Sequence, residues 1–345
     1  MRLALSFLGL SLLFFLVFGF IHFFIPLQPR PADNTVFEIE KGTGSFAIAS
    51  KLHEEGFVRS RLAFFAYTVA TGKFAVLHDG RYLLNPSLSV HEIAQRLAGG
   101  DIIQETIRVQ EGWNLLTIAR EFEERGFFTA EEFFAVTGYP GVDYREETDL
   151  PRPRDFSREF AFLRDKPPYV SLEGYIFPDT YYVTANETPE SFVRRALRNF
   201  ETKITPEILA EIEAQEKTLF EVVNWAAMVE KEVHNREDKQ RVTGLLQKRV
   251  ESNMRLQTDA TVVYIREGNR ARVSIAETQI ESPYNTYRVY GLPLGPIANP
   301  SLQTIEAVLQ PIESPYWYYL SARDGTTIFS QTFEEHLIAK ALYLR

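Results

Sequence analysis

The residues best suited to acid–base chemistry stand in the segment Trp225-Ala226-Ala227-Met228-Val229-Glu230-Lys231-Glu232, where two carboxylates sit among apolar and small side chains. Read as a helix, the segment puts Val222, Trp225, Ala226, Val229 and Val233 on one apolar stripe, with Lys231 pointing away from it. Glu230 and Glu232 then fall on opposite shoulders of that stripe. Glu230 neighbours Val223, Ala226 and Ala227, whose short side chains leave room beside the carboxylate; Glu232 neighbours the bulkier Trp225 and Met228. Partial burial disfavours the charged form of a carboxyl, which would let it hold a proton near neutral pH and deliver it. The same pattern fits acids that cap or salt-bridge a core helix, with Lys231, Arg236 and Lys239 close enough in sequence to pair with them.

Several elements must position these groups. Thr188 or Pro189 starts a helix carrying Phe192, Ala196, Leu197 and Phe200, and a second helix runs from Pro206 to Ala214. Helices are also expected over residues 238–250 and 301–310, and a terminal hairpin turns about Asp324-Gly325. Between Ser171 and Tyr182 four aromatics and two acids crowd around Gly174 and Pro178, a surface loop that needs either a core or a ligand. Pro151, Pro153 and Pro167-Pro168 mark boundary or groove-rim loops. Nearer the start, a unit repeats: the run from Ile48 to Phe57 answers that from Ile118 to Phe127. Each copy follows an alternating strand and a Gly turn, ends at a Gly cap and leads to a second short helix. Gly80 to Leu84 reads as a returning strand, and Ser89 as the N-cap of a helix through Leu97. The first copy thus has a strand-helix-helix-strand pattern, equally open to a packing role without ligand.

Residues 3–25 are mostly apolar, and His22 is their one ionisable side chain, so the run is long enough to span a bilayer. Arg2 precedes it and no small-residue cleavage pattern follows, which favours a retained single-pass anchor, N-terminus in the cytoplasm and body outside. The absence of cysteine excludes disulfides, thiol catalysis and thiolate metal sites. A formal charge of -9, without a basic stripe, argues against a nucleic-acid partner. The histidines lack metal-ligand spacing and no phosphate-cradling Gly-rich loop occurs, so neither metal nor cofactor is expected.

In several separate blocks the chain resembles the bacterial endolytic murein transglycosylase family (MltG, YceG-like). Leu172-Glu173-Gly174-Tyr175-Ile176-Phe177-Pro178-Asp179-Thr180-Tyr181 is similar to that family's first block and Met228-Val229-Glu230-Lys231-Glu232 to its catalytic helix. Asn253 to Asp259, Ser282 to Tyr287 and Gly291 to Ile297 follow in the same order. The resemblance implies an α+β protein: a cytoplasmic tip and transmembrane anchor over residues 1–30 and a LysM-like module over 31–104. A second strand-helix-helix unit with connecting region over 105–165 and a mixed α/β catalytic domain over 166–345 complete it.

It also implies lytic cleavage of the MurNAc–GlcNAc bond within nascent peptidoglycan strands, leaving a 1,6-anhydroMurNAc end, with Glu230 matching the catalytic glutamate. Glu173 would orient substrate, unless it is tied to a loop amide or an arginine. Gln257, Asp259, Asn285 and Tyr287 would bind N-acetyl and hydroxyl groups, Asn285 and Tyr287 alternatively serving the turn after Pro283. Tyr175 and Tyr181 would stack on sugar rings. The expected setting is the inner or plasma membrane, beside glycan strands and peptidoglycan synthases. A muramidase-type hydrolase and a noncatalytic wall-binding scaffold are the alternatives.

Overall fold

Alternation of side chains along Thr35–Ile39 (β1) turns Phe37 and Ile39 to one face. On the antiparallel partner Gly80–Leu84 (β2), Tyr82 and Leu84 face the same way, with Phe37 opposite Tyr82 and Ile39 opposite Gly80. The helices Ser45–Glu54 (α1), Arg61–Ala70 (α2) and Val90–Gly99 (α3) cover that face with Ile48, Leu52, Phe64, Ile93 and Leu97, all buried. Ser89 caps α3 in a reciprocal capping box with Glu92, as its sequence suggests. The computed structural model describes residues 17, 19–28, 33–266 and 273–344. Within it the chain divides into two compact units, Met1–Thr106 with Tyr182–Asn186, and Ile107–Tyr181 with Glu187–Arg345.

Two expectations are corrected here. Most of the span expected over residues 3–25 lies outside the described residues, and among the described residues no helix is long and apolar enough to cross a membrane. The described end of that stretch packs on protein: Phe23 joins the first unit's core beside Tyr67, Phe24 lies against His91, and Arg59 donates to the Pro26 carbonyl. The single-pass anchor, and the inner or plasma membrane location built on it, are therefore not supported. Nor is the first unit a LysM-like module. Its strand pair carries a third helix, α3, and takes in residues 182–186 from far along the chain, so it is not a self-contained strand-helix-helix-strand fold.

The second unit opens with the repeated motif. Gln104–Arg108 (β3) pairs with Thr180–Thr184 (β4), and Leu115–Glu124 (α4) leads to Ala130–Thr137 (α5). The duplication is visible in the backbone: Gly42 and Gly112 have φ of 82° and 75°, and Gly56 and Gly126 have 78° and 76°, a left-handed geometry that glycine adopts without strain. Leu115, Ile118, Ala119 and Phe122 recur at helical spacing and are buried. Phe122 stacks on Phe128 at 4.5 Å and meets Phe192 at 4.4 Å, which joins α4 to Pro189–Lys203 (α6).

Around the acidic segment the chain is helical. Pro206–Ala214 (α7), Leu219–Glu230 (α8), Arg236–Glu251 (α9), Asp259–Ile265 (α10) and Leu302–Leu309 (α11) are followed by the hairpin Tyr318–Ser321 (β5) and Thr327–Ser330 (β6) and by Phe333–Tyr343 (α12). Helix α8 is not amphipathic, as a stripe would require; every residue from Val222 to Glu230 is buried, because α7, α9 and α11 pack around it. Each fully buried Val or Met there contributes roughly 1.5–3 kcal/mol. Such packing leaves no room for growth: a Cβ on Gly244 of α9 would collide with the Ile312 carbonyl. The variant Gly244→Ala should accordingly lose about 1–3 kcal/mol of stability, read as a lowered midpoint in urea denaturation.

Candidate functional site

Helix α8 ends at Glu230, and this separates the two acids the sequence placed on one helix. Lys231 and Glu232 lie in a turn, their N–H groups donating to Met228 and Val229 carbonyls at 3.2 and 3.1 Å. Glu230 turns inward and is 8% exposed. One of its oxygens accepts from the Ser301 N–H at 2.9 Å, from Ser301 Oγ at 2.7 Å and from the Thr304 hydroxyl. The other accepts from Lys239 Nζ at 3.0 Å. Burial pushes the Glu230 carboxyl up, but the donors from Thr304 and Ser301 and the Lys239 ammonium outweigh it and hold the group below its ordinary range. The expectation of a raised, proton-holding Glu230 is therefore corrected: both oxygens of its carboxylate are engaged, one of them in the core salt bridge that the sequence left open.

Glu173 is more deeply enclosed, at 1% exposed. The Leu115 N–H donates to both its oxygens at 3.1 Å, Asn299 Nδ2 at 3.1 Å and Tyr264 OH at 3.2 Å. Burial pushes its carboxyl up to about 8 against those donors. Asn299 also binds the Ile176 N–H and the Trp113 carbonyl, so Glu173 sits in a knot tying the aromatic segment to the start of α4. From Ser171 to Phe177 that segment is core and not a surface loop, whereas Thr180 and Tyr182 are exposed. Tyr175 is fully buried and Tyr181 is 4% exposed, its hydroxyl donating to the Phe177 carbonyl at 2.5 Å, so neither ring can stack on a sugar.

Glu232 has different surroundings. The residue is half-buried with its carboxyl enclosed, and the carboxyl accepts from Tyr319 OH at 2.9 Å. Burial of the carboxyl, with the Asp259 charge nearby, pushes it up to about 7 although Tyr319, Ala260 and Arg249 pull the other way. Tyr287 OH donates to Asp259 Oδ1 at 2.6 Å. Arg249 lies behind the group, buried, donating to the Trp317 and Leu256 carbonyls and lying over the Tyr318 ring at 5.5 Å. Glu232, Asp259, Tyr287, Tyr319 and Arg249 thus converge from five separate stretches of chain.

Of the other residues singled out, Gln257 is exposed, with φ of 51°, and its N–H donates to Thr286 O at 3.1 Å. Asn285 is fully buried and is a turn residue: Nδ2 donates to the Ile280 and Thr278 carbonyls, and Oδ1 accepts from the Tyr287 N–H at 3.0 Å. Tyr319 and Arg249 were not identified from sequence. Tyr319 had a faint signal, since alternation in the hairpin strand sets it opposite in facing to the buried Leu320. Arg249 had none, because a cation in a charged helix reads as surface.

The YceG-like family model matches residues 37–341. The chain is 28% identical over 321 residues to the endolytic murein transglycosylase of Bacillus subtilis, covering 92% of this chain and 87% of that protein. It is 28% identical over 331 residues to the endolytic murein transglycosylase of Streptococcus pneumoniae D39, spanning 90% of this chain but only 59% of the longer relative. Its fold is similar to that of a YceG-like protein from Listeria monocytogenes, with a TM-score of 0.58 at 24% identity, over 90% of this chain and all of that one. The chain belongs to the YceG-like family of endolytic murein transglycosylases.

The pair Lys239–Glu230 is the most sensitive contact in this region. Replacing either partner leaves a buried charge alone, so Lys239→Met or Glu230→Gln should cost about 3–5 kcal/mol in chemical denaturation. Because the folded Glu230 carboxyl lies below its ordinary value of 4.5, its stabilisation is present above that value and is lost as pH falls through the lowered one. Glu230→Gln should therefore flatten the acid side of the stability-versus-pH curve.

Proposed function

We propose that this protein cleaves the MurNAc–GlcNAc bond inside peptidoglycan strands by lytic transglycosylation, with Glu232 as the acid and base. Family membership supports the reaction class. The observation that carries the residue is the contrast among three glutamates: Glu230 is bound by Ser301, Thr304 and Lys239 and Glu173 is sealed in the core, whereas Glu232 is a half-buried residue whose carboxyl, enclosed against Tyr319, is raised to about 7. A neutral Glu232 protonates the leaving GlcNAc oxygen as its bond to C1 breaks. The C6 hydroxyl of the same muramoyl residue attacks C1, and its proton passes to the Glu232 carboxylate. The products are a GlcNAc 4-hydroxyl and a 1,6-anhydroMurNAc end. No water enters, so a single carboxyl serves twice, whereas most glycoside hydrolases employ a pair.

Tyr319 holds the carboxyl of Glu232 in place, and the exposed Gln257 and the Tyr287 hydroxyl offer polar groups for the sugar. Cutting within the strand, not from its end, is part of the proposal, and early fragment sizes from long defined strands check it. Glu232→Gln should lower turnover by about 10²–10⁴-fold with the fold intact. Wild-type kcat/KM should fall as pH rises past about 7, because the acid must start protonated. In oxygen-18 water the products should carry anhydro ends without label. Labelled reducing ends would instead establish a muramidase, and no product at all a binding scaffold.

A further inference from the structure

Arg249 stands in the last turn of α9, where a cation ordinarily turns to its own helix's final carbonyls or to water. It does neither. The residue is 7% exposed, and its guanidinium reaches off the helix to two other stretches of chain. Nε donates to the Trp317 carbonyl at 2.9 Å and Nη2 to the same oxygen, while Nη1 donates to the Leu256 carbonyl at 2.7 Å. The guanidinium also lies over the Tyr318 ring at 5.5 Å. Burying a cation among carbonyls costs desolvation, so the bonds must hold something that the fold needs held. Only a planar fork can do this, with two N–H groups of one edge on one oxygen and a third N–H on another; an ammonium is a point charge without that shape.

One end of the bracket is fixed ground. Leu256 is fully buried, the Gln257 N–H after it donates to Thr286 O at 3.1 Å, and the Arg249 carbonyl itself accepts from the Met254 N–H at 2.8 Å. The other end carries the hairpin. Trp317 stands two residues before Tyr319, whose hydroxyl is 2.9 Å from the Glu232 carboxyl, and Ser321 Oγ donates to the Glu232 carbonyl at 3.1 Å. A two-stranded hairpin is marginal alone, and β5 and β6 share with α12 only a small core of Leu320, Ala322 and Ala339. Ties to α9 must therefore set where it sits: the Arg249 fork, and Lys248 with its ammonium over the Trp317 ring at 3.9 Å. We infer that Arg249 is a positioning residue for Glu232: it fastens the start of β5 to the end of α9 and so keeps the Tyr319 hydroxyl on the carboxyl. This rests on the assignment of Glu232 as the acid. Because Arg249 acts through the hairpin, its effect on turnover should vanish once the Tyr319 hydroxyl is gone.

Arg249→Lys keeps the charge without the fork, and Arg249→Gln keeps a neutral amide donor. In the full-length protein each should lower kcat about 10–100-fold with KM little changed, the size of loss that a misplacement of about 1 Å brings. Tyr319→Phe should lower kcat by a similar factor, and adding Arg249→Lys to it should lower kcat by no more than about twofold further. Effects that multiply in the double variant overturn the inference, as does an unchanged kcat in both Arg249 variants. Fluorine-19 NMR of protein labelled with 3-fluorotyrosine reads the same point without substrate. The Tyr319 signal, assigned from its absence in Tyr319→Phe, should shift in both Arg249 variants while those of Tyr82 and Tyr175 stay. A Tyr319 signal that does not shift overturns the inference, and so does loss of signal dispersion throughout the protein, the mark of a merely structural role. Should Glu232→Gln turn over like wild type, the acid assignment itself fails, while the Tyr319 signal still reports whether Arg249 places that hydroxyl.

Discussion

A single buried carboxylate organises the helical part of the second unit. Glu230 closes α8, and its oxygens draw in Lys239 from the first turn of α9 and Ser301 and Thr304 from the start of α11. The arrangement suits the charge twice over, since the free N–H groups at a helix start and an ammonium both favour an anion. Three helices that could slide on apolar contacts alone are thereby set in one register. The chain can leave α8 in only one direction, and two residues later it presents Glu232. Holding the proposed acid in place requires neighbours that cannot move, and the Glu230 hub supplies them.

The second buried acid has a parallel task elsewhere in the unit. Glu173 joins the start of α4 to the aromatic segment through Leu115, Asn299 and Tyr264, so the region rich in tyrosine and phenylalanine forms core between them. Gly174, with φ of 90°, belongs to this close packing: a Cβ there would strike Val223 of α8 and Pro296. Two sealed carboxyls thus brace the framework, and the third is the one proposed as the acid.

Much of this was legible in the sequence where local rules decide. The caps at Ser89, Thr188 and Ser301, the proline starts of α6 and α7 and the turn at Gly325 follow from side-chain donors and backbone preference, which do not depend on distant residues. The family blocks gave the general chemistry. The role of each acid was not legible, for that depends on partners such as Ser301 and Tyr319, more than seventy residues away. A helical wheel extended one turn too far set Glu230 and Glu232 in equivalent positions, although α8 stops between them. The aromatic segment misled for a related reason: a loop rich in glycine and proline reads as surface, and only the knot at Glu173 and Asn299 draws it inward. Helix α12 carried no expectation, its exposed Leu337, Ile338 and Leu342 blurring the apolar pattern.

The bond from Tyr319 to Glu232 spans 87 positions, and Ser321 of the same strand also reaches back to the Glu232 carbonyl. Contacts so distant in sequence form late, after the cost of closing a long loop has been met. During synthesis the helix bearing Glu230 emerges well before α11 and β5, so on the ribosome both the α11 partners of Glu230 and the tyrosine of Glu232 arrive late. The surroundings of Glu232, the proposed acid, are thereby completed only once nearly the whole chain has emerged, a delay built into its position in the sequence.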